Sequence, residues 1–194
     1  CDYELSAADL KCENCGSEVF SNTGFGTERI VDEVRRLFPM ARIARLDSDI
    51  ASRKKEFNMT LFGFENHDYD ILIGTQMIAK GHDFKDVELA VSLMADKSLS
   101  IPNYKANEDT FDLLTQLIGR AGRFSNNGKA IIQTYMPENE IINLSANQDY
   151  EQFYKFEMHN RKVFQYPPYT FLAIITISGT DSDELETFCY KVKG

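Results

Sequence analysis

Apolar residues in the first half of the chain follow the spacing of a helix in some segments and that of a strand in others. Ile30, Val34 and Leu37 follow the spacing of one helix face, and Pro39 then stops the run. This pattern predicts a helix over residues 28–38, fed by a glycine turn. The segments that follow read in order as a strand, a helix, a buried strand and a further apolar run: Ala41–Leu46, Ser52–Phe64, Asp70–Gly74 and Val87–Ala95.

The alternation of helices and strands continues in the second half. A helix is predicted from about Ala106 to Ala121, and a strand from Ala130 to Tyr135. Such alternation predicts an α/β fold in which helices cover both faces of a parallel sheet. Ligands of these folds bind at the carboxyl ends of the strands, where the loops gather.

The chain changes character beyond Pro137. An aromatic and charged helix is predicted over Tyr150–Phe164, and the two prolines within residues 166–169 cannot continue it. A strand is predicted over Phe171–Ile177. We therefore expect a domain boundary near 148–166, followed by the opening of another domain.

Composition indicates a globular protein, and the charge distribution complicates the choice of partner. The 194 residues are 43% hydrophobic and 26% charged, with a formal net charge of −9. No run approaches the roughly 18 apolar residues that span a bilayer, and the first residues are too polar for a signal peptide, so the cytoplasm is expected. The basic residues crowd the first third: Arg29, Arg35, Arg36, Arg42, Arg45, Arg53, Lys54 and Lys55. They fit a nucleic-acid surface and solvated helix faces equally well.

The amino-terminal cysteines have two interpretations. Cys12 and Cys15 form a C-x-x-C-G sequence, which is half of a typical structural zinc site. Because the chain begins at Cys1 and not at a methionine, we expect the partner cysteines to lie upstream. A pair of reduced cytosolic thiols fits the same residues.

Two loops are the best candidates for chemistry. The Gly74–Phe84 loop follows a buried strand and offers backbone donors and a hydroxyl suited to a phosphate chain, while Asp83 offers an acceptor for a ribose hydroxyl. In the Gln116–Arg123 segment, Arg120 and Arg123 lie near each other on a helical turn, with glycines beside them. Guanidinium groups bind phosphate oxygens through two parallel hydrogen bonds. Cations that complement a helix dipole explain the second segment equally well, but the presence of both loops favours phosphate binding.

These two loops resemble motifs V and VI of superfamily 2 helicases, and nearly the whole chain resembles the PriA family of bacterial replication-restart helicases. The matching pieces follow in order: Cys12–Ser17, Gly24–Arg29, Leu37–Pro39, Gly74–Phe84, Ala95–Glu108, Leu114–Arg123, Gln133–Tyr135 and Tyr166–Pro168. The resemblance implies a RecA-like second helicase lobe over 19–147. It also implies the remnant of a cysteine-rich zinc-binding region over 1–18, and a connecting helix with the start of a C-terminal domain over 148–194.

The resemblance implies roles for individual residues as well. Those expected to contact the DNA strand are Gly74, Thr75, Gln76 and Lys80. Those expected to face the nucleotide are Gly81, Asp83, Arg120 and Arg123. Arg123 would be the arginine finger, and Gln116 would lie near the γ-phosphate at the interface between the lobes.

Members of this family bind two structural zinc ions through four cysteine pairs. Cys1, Cys12 and Cys15 match three of those ligands, and Cys1 belongs to a different ion from the other two. We therefore expect no complete zinc site in this chain. Cys189 matches no ligand and is expected to be a buried core thiol.

Two positions depart from the family pattern. Asn103 and Lys105 stand where Asp and Arg are expected before Glu108, which puts an ion pair there in doubt. His82 fits the pattern, but a single loop histidine is given no chemical role.

The chain contains neither a G-x-x-x-x-G-K-[ST] loop nor an acidic Walker B sequence. The resemblance implies that an upstream lobe carries both and holds most of the ATP and Mg²⁺. The implied activity is that of an ATP-dependent 3′–5′ DNA helicase that restarts replication at stalled forks, with this chain inactive alone. The implied partners are single-stranded and forked DNA, primosome proteins and single-stranded-DNA-binding protein.

Two other functions are compatible with the residues. A zinc-bearing module could bind branched DNA or primosome proteins without hydrolysing ATP. An unrelated phosphate-binding α/β enzyme would need its own lysine or metal carboxylates beside the two loops, where only Lys80 is found.

Overall fold

The computed structural model describes residues 26–47, 54–79, 84, 86–121, 128–173 and 175–193. The chain divides into two compact units, one formed by 1–90 and 119–129 and the other by 91–118 and 130–194.

The first unit contains a parallel pair of strands with helices against it. Its elements are α1 (Thr27–Leu37), β1 (Ile43–Leu46), α2 (Lys54–Glu65), β2 (Ile71–Gly74) and a short 3₁₀ helix (Gln76–Ala79). Ile43 pairs with Ile71, and the register continues to Leu46 and Gly74. The carboxyl ends of β1 and β2 therefore lie side by side.

The core of the first unit lies under this strand pair. Leu46, Leu61 and Phe84 are buried together, and Leu72 and Ile78 pack against them. Burying such side chains stabilises a fold by about 1.5–3 kcal/mol each, so both strands and the end of the 74–84 loop are fixed by the same cluster.

The remaining elements are β3 (Leu89–Ser92), α3 (Asp96–Leu99), α4 (Ala106–Arg120), β4 (Lys129–Ile132), α5 (Glu140–Ala146), α6 (Tyr150–Val163) and α7 (Ser182–Lys193). They lie in the second unit, except that β3 and β4 begin in the first unit and α4 ends in it. Strands β3 and β4 pair with each other. The Lys129 N–H donates to the Glu88 carbonyl at 2.7 Å, and that of Gln133 to the Ser92 carbonyl at 2.8 Å. Both strands therefore run in the same direction.

Helix α4 is the central element of this unit. It buries Ala106, Thr110, Phe111 and Leu114, whose spacing places them on one helical face. Leu114 packs with Ala95 and Ile142. The Phe111 ring stacks on that of Phe153, with the centroids 4.0 Å apart.

The structure confirms the alternation of helices with parallel strands, with element ends moved by at most three residues. It corrects two expectations and adds helices that were not predicted. The predicted strand over Phe171–Ile177 is wrong, because the described residues there form no strand ladder. Helices α3, α5 and α7 were not predicted. Cys189 was expected in the core but is exposed, because it lies on the solvated helix α7.

Among the described residues no helix has both the length and the apolar character needed to cross a membrane. Residues 1–25, which include Cys1, Cys12 and Cys15, lie outside the described residues.

Candidate nucleotide and DNA interface

Gly74 ends β2 at a position where a side chain does not fit. A Cβ atom built there would lie 2.0 Å from the Leu46 carbonyl oxygen, far inside van der Waals contact. The close approach follows from the pairing of Leu46 with Gly74 at the carboxyl end of the sheet. This glycine is therefore required by the fold, independently of any ligand.

Thr75 begins the loop with its backbone already engaged. Its N–H donates to the Leu46 carbonyl at 3.2 Å, and its own carbonyl accepts from the Ile78 N–H at 3.1 Å. Both Thr75 and Gln76 are exposed. The backbone amide of Thr75 is therefore already bonded, and the predicted phosphate contact would have to come from its side-chain hydroxyl.

Two apolar side chains anchor the loop at either end. Ile78 and Phe84 pack into the cluster around Leu46, and the Phe84 ring meets that of Phe64 edge-on at 5.0 Å. The loop therefore leaves and re-enters the same core. Between the anchors, Lys80, Gly81, His82 and Asp83 lie outside the described residues.

A polar cluster that the sequence analysis missed lies where β1 ends and α1 begins. Asp47 is 7% exposed and accepts hydrogen bonds from the Thr27 hydroxyl at 2.9 Å and from Arg45 Nε at 3.1 Å. Arg45 also contacts Glu28 at 2.7 Å. An aspartate directly after a buried strand was the available signal. Its hydrogen bond from Thr27, the first residue of α1, makes it a support for the start of that helix.

Helix α4 carries two of the candidate nucleotide residues in its last turns. Gln116 is exposed and lies one turn before Arg120, the last residue of the helix. Residues four apart share a helix face, so the structure brings these two side chains to one side of α4. Arg123 lies outside the described residues.

Gly119, between Gln116 and the end of α4, has open space around it. A Cβ built on it would meet nothing within 4 Å. A glycine inside a helix costs about 0.5–1 kcal/mol relative to alanine, so packing in the described part of the chain does not account for it. That this space holds a ligand beside Arg120 stays a prediction.

A second carboxylate lies after β3. Asp96 accepts hydrogen bonds from the Thr134 hydroxyl and from the Tyr135 N–H, the latter at 2.9 Å. Burial alone would raise the pKa of Asp96, but these hydrogen bonds outweigh it and hold the pKa below its ordinary value. The carboxylate ties β4 to the start of α3.

The sequence left in doubt whether an ion pair forms in the segment before Glu108. In the structure, Glu108 pairs with an arginine from a distant part of the chain. Glu108 contacts Arg161 of α6 at 2.6 Å. Asn103 instead accepts a hydrogen bond from the Lys105 N–H at 3.1 Å.

The basic cluster of the first third is largely paired with carboxylates. Arg35, Arg36 and Arg42 contact Asp32, Glu33 and Asp70 at 3.9, 2.6 and 2.7 Å, and Arg45 contacts two carboxylates, as described above. These contacts favour the interpretation of solvated helix and strand ends over that of a continuous phosphate-binding surface. Within the described part of the chain, no group of three metal-ligating side chains comes together.

Comparison with known proteins decides the family. Residues 16–125, more than half of the chain, match the family model described as "Helicase conserved C-terminal domain". This chain belongs to the helicase C-terminal domain family. The fold of this family is RecA-like, which confirms the expected fold class.

Three relatives of this helicase domain carry the same name. It is 47% identical over 167 residues to "Replication restart protein PriA" of Bacillus subtilis, covering 86% of this chain and 21% of the relative. The protein of the same name from Chlamydia trachomatis is 42% identical, with 94% of this chain and 24% of the relative covered. That of Borreliella burgdorferi is 34% identical, with 98% and 28% covered. The helicase domain thus spans between 21% and 28% of these relatives' length.

Proposed function

We propose that this chain is the second motor lobe of an ATP-dependent 3′–5′ DNA helicase that restarts replication at stalled forks in the bacterial cytoplasm. The observation that carries the proposal is the similarity to replication restart proteins, which covers 86% of the chain at 47% identity. The helicase family match over residues 16–125 supports it, because that range contains both candidate loops.

In this proposal the Gly74–Phe84 loop holds a phosphate of the DNA strand through the Thr75 hydroxyl, with Gln76 and Lys80 beside it. The anchors at Ile78 and Phe84 support this role, because fixing both ends of a loop lowers the entropy cost of binding a phosphate to it. Gly81 and Asp83 face the nucleotide. Single-stranded and forked DNA are the substrates, and primosome proteins and single-stranded-DNA-binding protein are the partners.

Helix α4 and the residues after it act on ATP. Gln116 and Arg120 lie on one side of the helix, and Arg123 is the arginine finger that reaches the γ-phosphate from this lobe. An arginine supplied in this way is worth roughly 10³ to 10⁵ in turnover, because it stabilises charge that develops in the transition state. The other lobe supplies the main phosphate loop and the Mg²⁺ site, so this chain alone does not hydrolyse ATP. The zinc expected in the longer protein has its implied ligands at Cys1, Cys12 and Cys15, outside the described residues.

The test is ATP hydrolysis stimulated by forked DNA, measured in the complete protein with Arg123→Ala beside the wild type. We expect turnover to fall by about 10³-fold or more while DNA binding is retained. Arg36→Ala, which removes an exposed arginine paired with Glu33 in α1, is the matched control and should hydrolyse ATP normally.

Undiminished turnover in Arg123→Ala would overturn the role of that arginine. Absence of DNA-stimulated hydrolysis in the wild-type protein would instead favour a module that binds branched DNA or primosome proteins without hydrolysing ATP.

A further inference from the structure

Arg161 of α6 lies at the centre of an ion cluster that joins three segments of the second unit. Its Nε donates to Glu157 at 2.8 Å, its Nη2 to Glu108 at 2.6 Å and its Nη1 to the Pro167 carbonyl at 3.1 Å. Each nitrogen of the guanidinium thus has a different acceptor. The segments joined are α6 itself, the first turn of α4 and the turn after α6.

The surroundings of Arg161 complete the cluster. The Tyr104 ring lies 5.3 Å from the guanidinium carbon and 5.7 Å from the Tyr166 ring. Asn107 donates to the second oxygen of Glu157 at 3.1 Å. The side chains of Arg161 and Glu157 are only 12% and 9% exposed, whereas that of Glu108 is 43% exposed.

The geometry requires an arginine at this position. Burial lowers the pKa of Arg161, but its hydrogen bonds to Glu157 and Glu108 raise it above the ordinary value, so the charge is permanent. A lysine has a single nitrogen and no planar fork, so it cannot reach the same acceptors in the same directions. Loss of the charge would leave the Glu157 carboxylate buried without its main partner.

Arg161 contacts α4 at the opposite end from the candidate nucleotide residues. A helix rises about 1.5 Å per residue, so along the axis of α4 Gln116 lies about 12 Å and Arg120 about 18 Å beyond Glu108. The hydrogen bond from Asn107 to Glu157 belongs to the same cluster. Outside the cluster, the ties between α4 and α6 that the described side chains show are aromatic: the Phe111 ring stacks on Phe153 and also lies 6.3 Å from the Tyr150 ring. Apolar contacts of this kind resist separation but give little direction, so the ion cluster fixes the axial position of α4.

We propose that Arg161 is a positioning residue for ATP hydrolysis: by holding Glu108, it sets the position of α4 and so of Gln116 and Arg120. This inference rests on the proposed function for its effect on catalysis. The contact with the Pro167 carbonyl also makes the position of α4 depend on the turn at 165–169.

The test uses the complete protein with Arg161→Lys and Glu108→Gln, which keep the size of each side chain, and Lys155→Met as the control. Lys155 is exposed on the same helix. The measurements are kcat and KM for ATP with forked DNA, and amide hydrogen exchange along α4. We expect kcat to fall about 10- to 100-fold with KM for ATP little changed, because a shift of about 1 Å in a positioned group suffices for such a loss.

Exchange should become faster in residues 112–120 of α4 in both variants, and not in α1 or α2, whereas Lys155→Met should match the wild type in every measurement. The double variant should lose no more activity than Arg161→Lys alone, because both changes act on one contact. Wild-type kcat together with wild-type exchange in Arg161→Lys would overturn the proposal. So would faster exchange spread evenly over both units with kcat unchanged, since that is general destabilisation.

The two hypotheses fail in different ways. If the wild-type protein shows no DNA-stimulated ATPase activity, the proposed function fails. The rate of amide hydrogen exchange in α4 of the Arg161→Lys variant then tests alone whether Arg161 positions that helix. Faster exchange confined to α4 would then support it, and unchanged exchange would overturn it.

Discussion

Arg42 and Asp70 form the best-defined exposed ion pair beside β1 and β2. The guanidinium donates to both carboxylate oxygens, at 2.7 and 3.1 Å, and the Arg42 N–H donates to the same carboxylate at 2.8 Å. The hydrogen bond from the Arg42 side chain is the main reason that the pKa of Asp70 is lowered from 3.8 to about 2. The pair joins the residues that precede the two paired strands.

We predict that Arg42→Met raises the pKa of Asp70 toward 3.8, though not fully, because the backbone N–H still donates to it. A lowered folded-state pKa gives stability that is present above the unfolded value and is lost as the pH falls toward the folded value. The difference in stability between wild type and variant should therefore shrink between about pH 4 and pH 2.

The measurement is an NMR titration of the Asp70 carboxylate, with unfolding followed at several pH values. Arg36→Met, which breaks an exposed pair within α1, should leave the Asp70 titration unchanged. An Asp70 pKa still near 2 in Arg42→Met would show that another group lowers it.

At the scale of elements, the end of β2 and the end of α4 use glycine for opposite reasons. The Cβ of an alanine at position 74 would overlap the Leu46 carbonyl oxygen, whereas one at position 119 would meet nothing within 4 Å. We predict that Gly74→Ala lowers the free energy of unfolding by about 1–3 kcal/mol or more, because the paired strand ends must separate. Gly119→Ala should raise it by about 0.5–1 kcal/mol.

Urea unfolding of the two variants and the wild type measures both effects. In the complete protein Gly119→Ala should nevertheless reduce ATP turnover, because the added methyl occupies space beside Arg120. A stable Gly74→Ala variant would mean that β1 and β2 pair less closely than the structure has them. Full activity in Gly119→Ala would remove the ligand-based account of that glycine.

The sequence predicted elements well where burial is continuous and poorly where helices are short or exposed. The apolar Ile71–Gly74 strand and the helix from Ala106 were found because their periods are set by packing. Helix α5 was missed, although Asn139 is a typical N-cap whose side chain accepts from the N–H groups of Ile141 and Ile142. The strand expected over Phe171–Ile177 was wrong, because alternation of side chains does not supply a pairing partner.

In the candidate site too, residues marked by a local sequence pattern could be predicted, and contacts between distant residues could not. Gly74, Thr75 and Gln116 were predicted as site residues because ligand loops follow strands, or because a motif marks them, and their roles stay predictions. The Arg161–Glu108 contact was missed, since it joins residues 53 apart and no local pattern encodes it. Cys189 was misplaced because the average burial of cysteine says little about one residue on an exposed helix.

At the scale of the whole molecule, the charge limits what the domain can do alone. The net charge is −9, and most of the arginines in the first third of the chain are engaged with carboxylates. Non-specific DNA binding normally has a Kd of about 10⁻⁴ to 10⁻⁶ M and depends on released counterions. We therefore expect the isolated domain to bind single-stranded DNA with a Kd of about 10⁻⁴ M or weaker, and more weakly still as salt rises from about 50 to 200 mM.

Within that weak binding, the Thr75 hydroxyl should make a measurable difference. We predict that Thr75→Val weakens DNA binding about tenfold, because it removes only the hydroxyl, and a hydrogen bond to a charged group is worth about 1.5–3 kcal/mol. The fold should persist, since the Thr75 backbone bonds to Leu46 and Ile78 do not involve the side chain. NMR shift titration with an oligonucleotide measures the affinity and also reports which residues respond.

Thr60→Val is the matched control, because that hydroxyl is bonded within α2 to the Glu56 carbonyl at 3.0 Å. It should leave the affinity unchanged. If Thr75→Val binds DNA as the wild type does, while shifts still appear around the 74–84 loop, the strand is held by that loop through groups other than this hydroxyl. If the shifts appear elsewhere, the loop does not hold the strand, and the assignment of motif V to DNA binding fails with it.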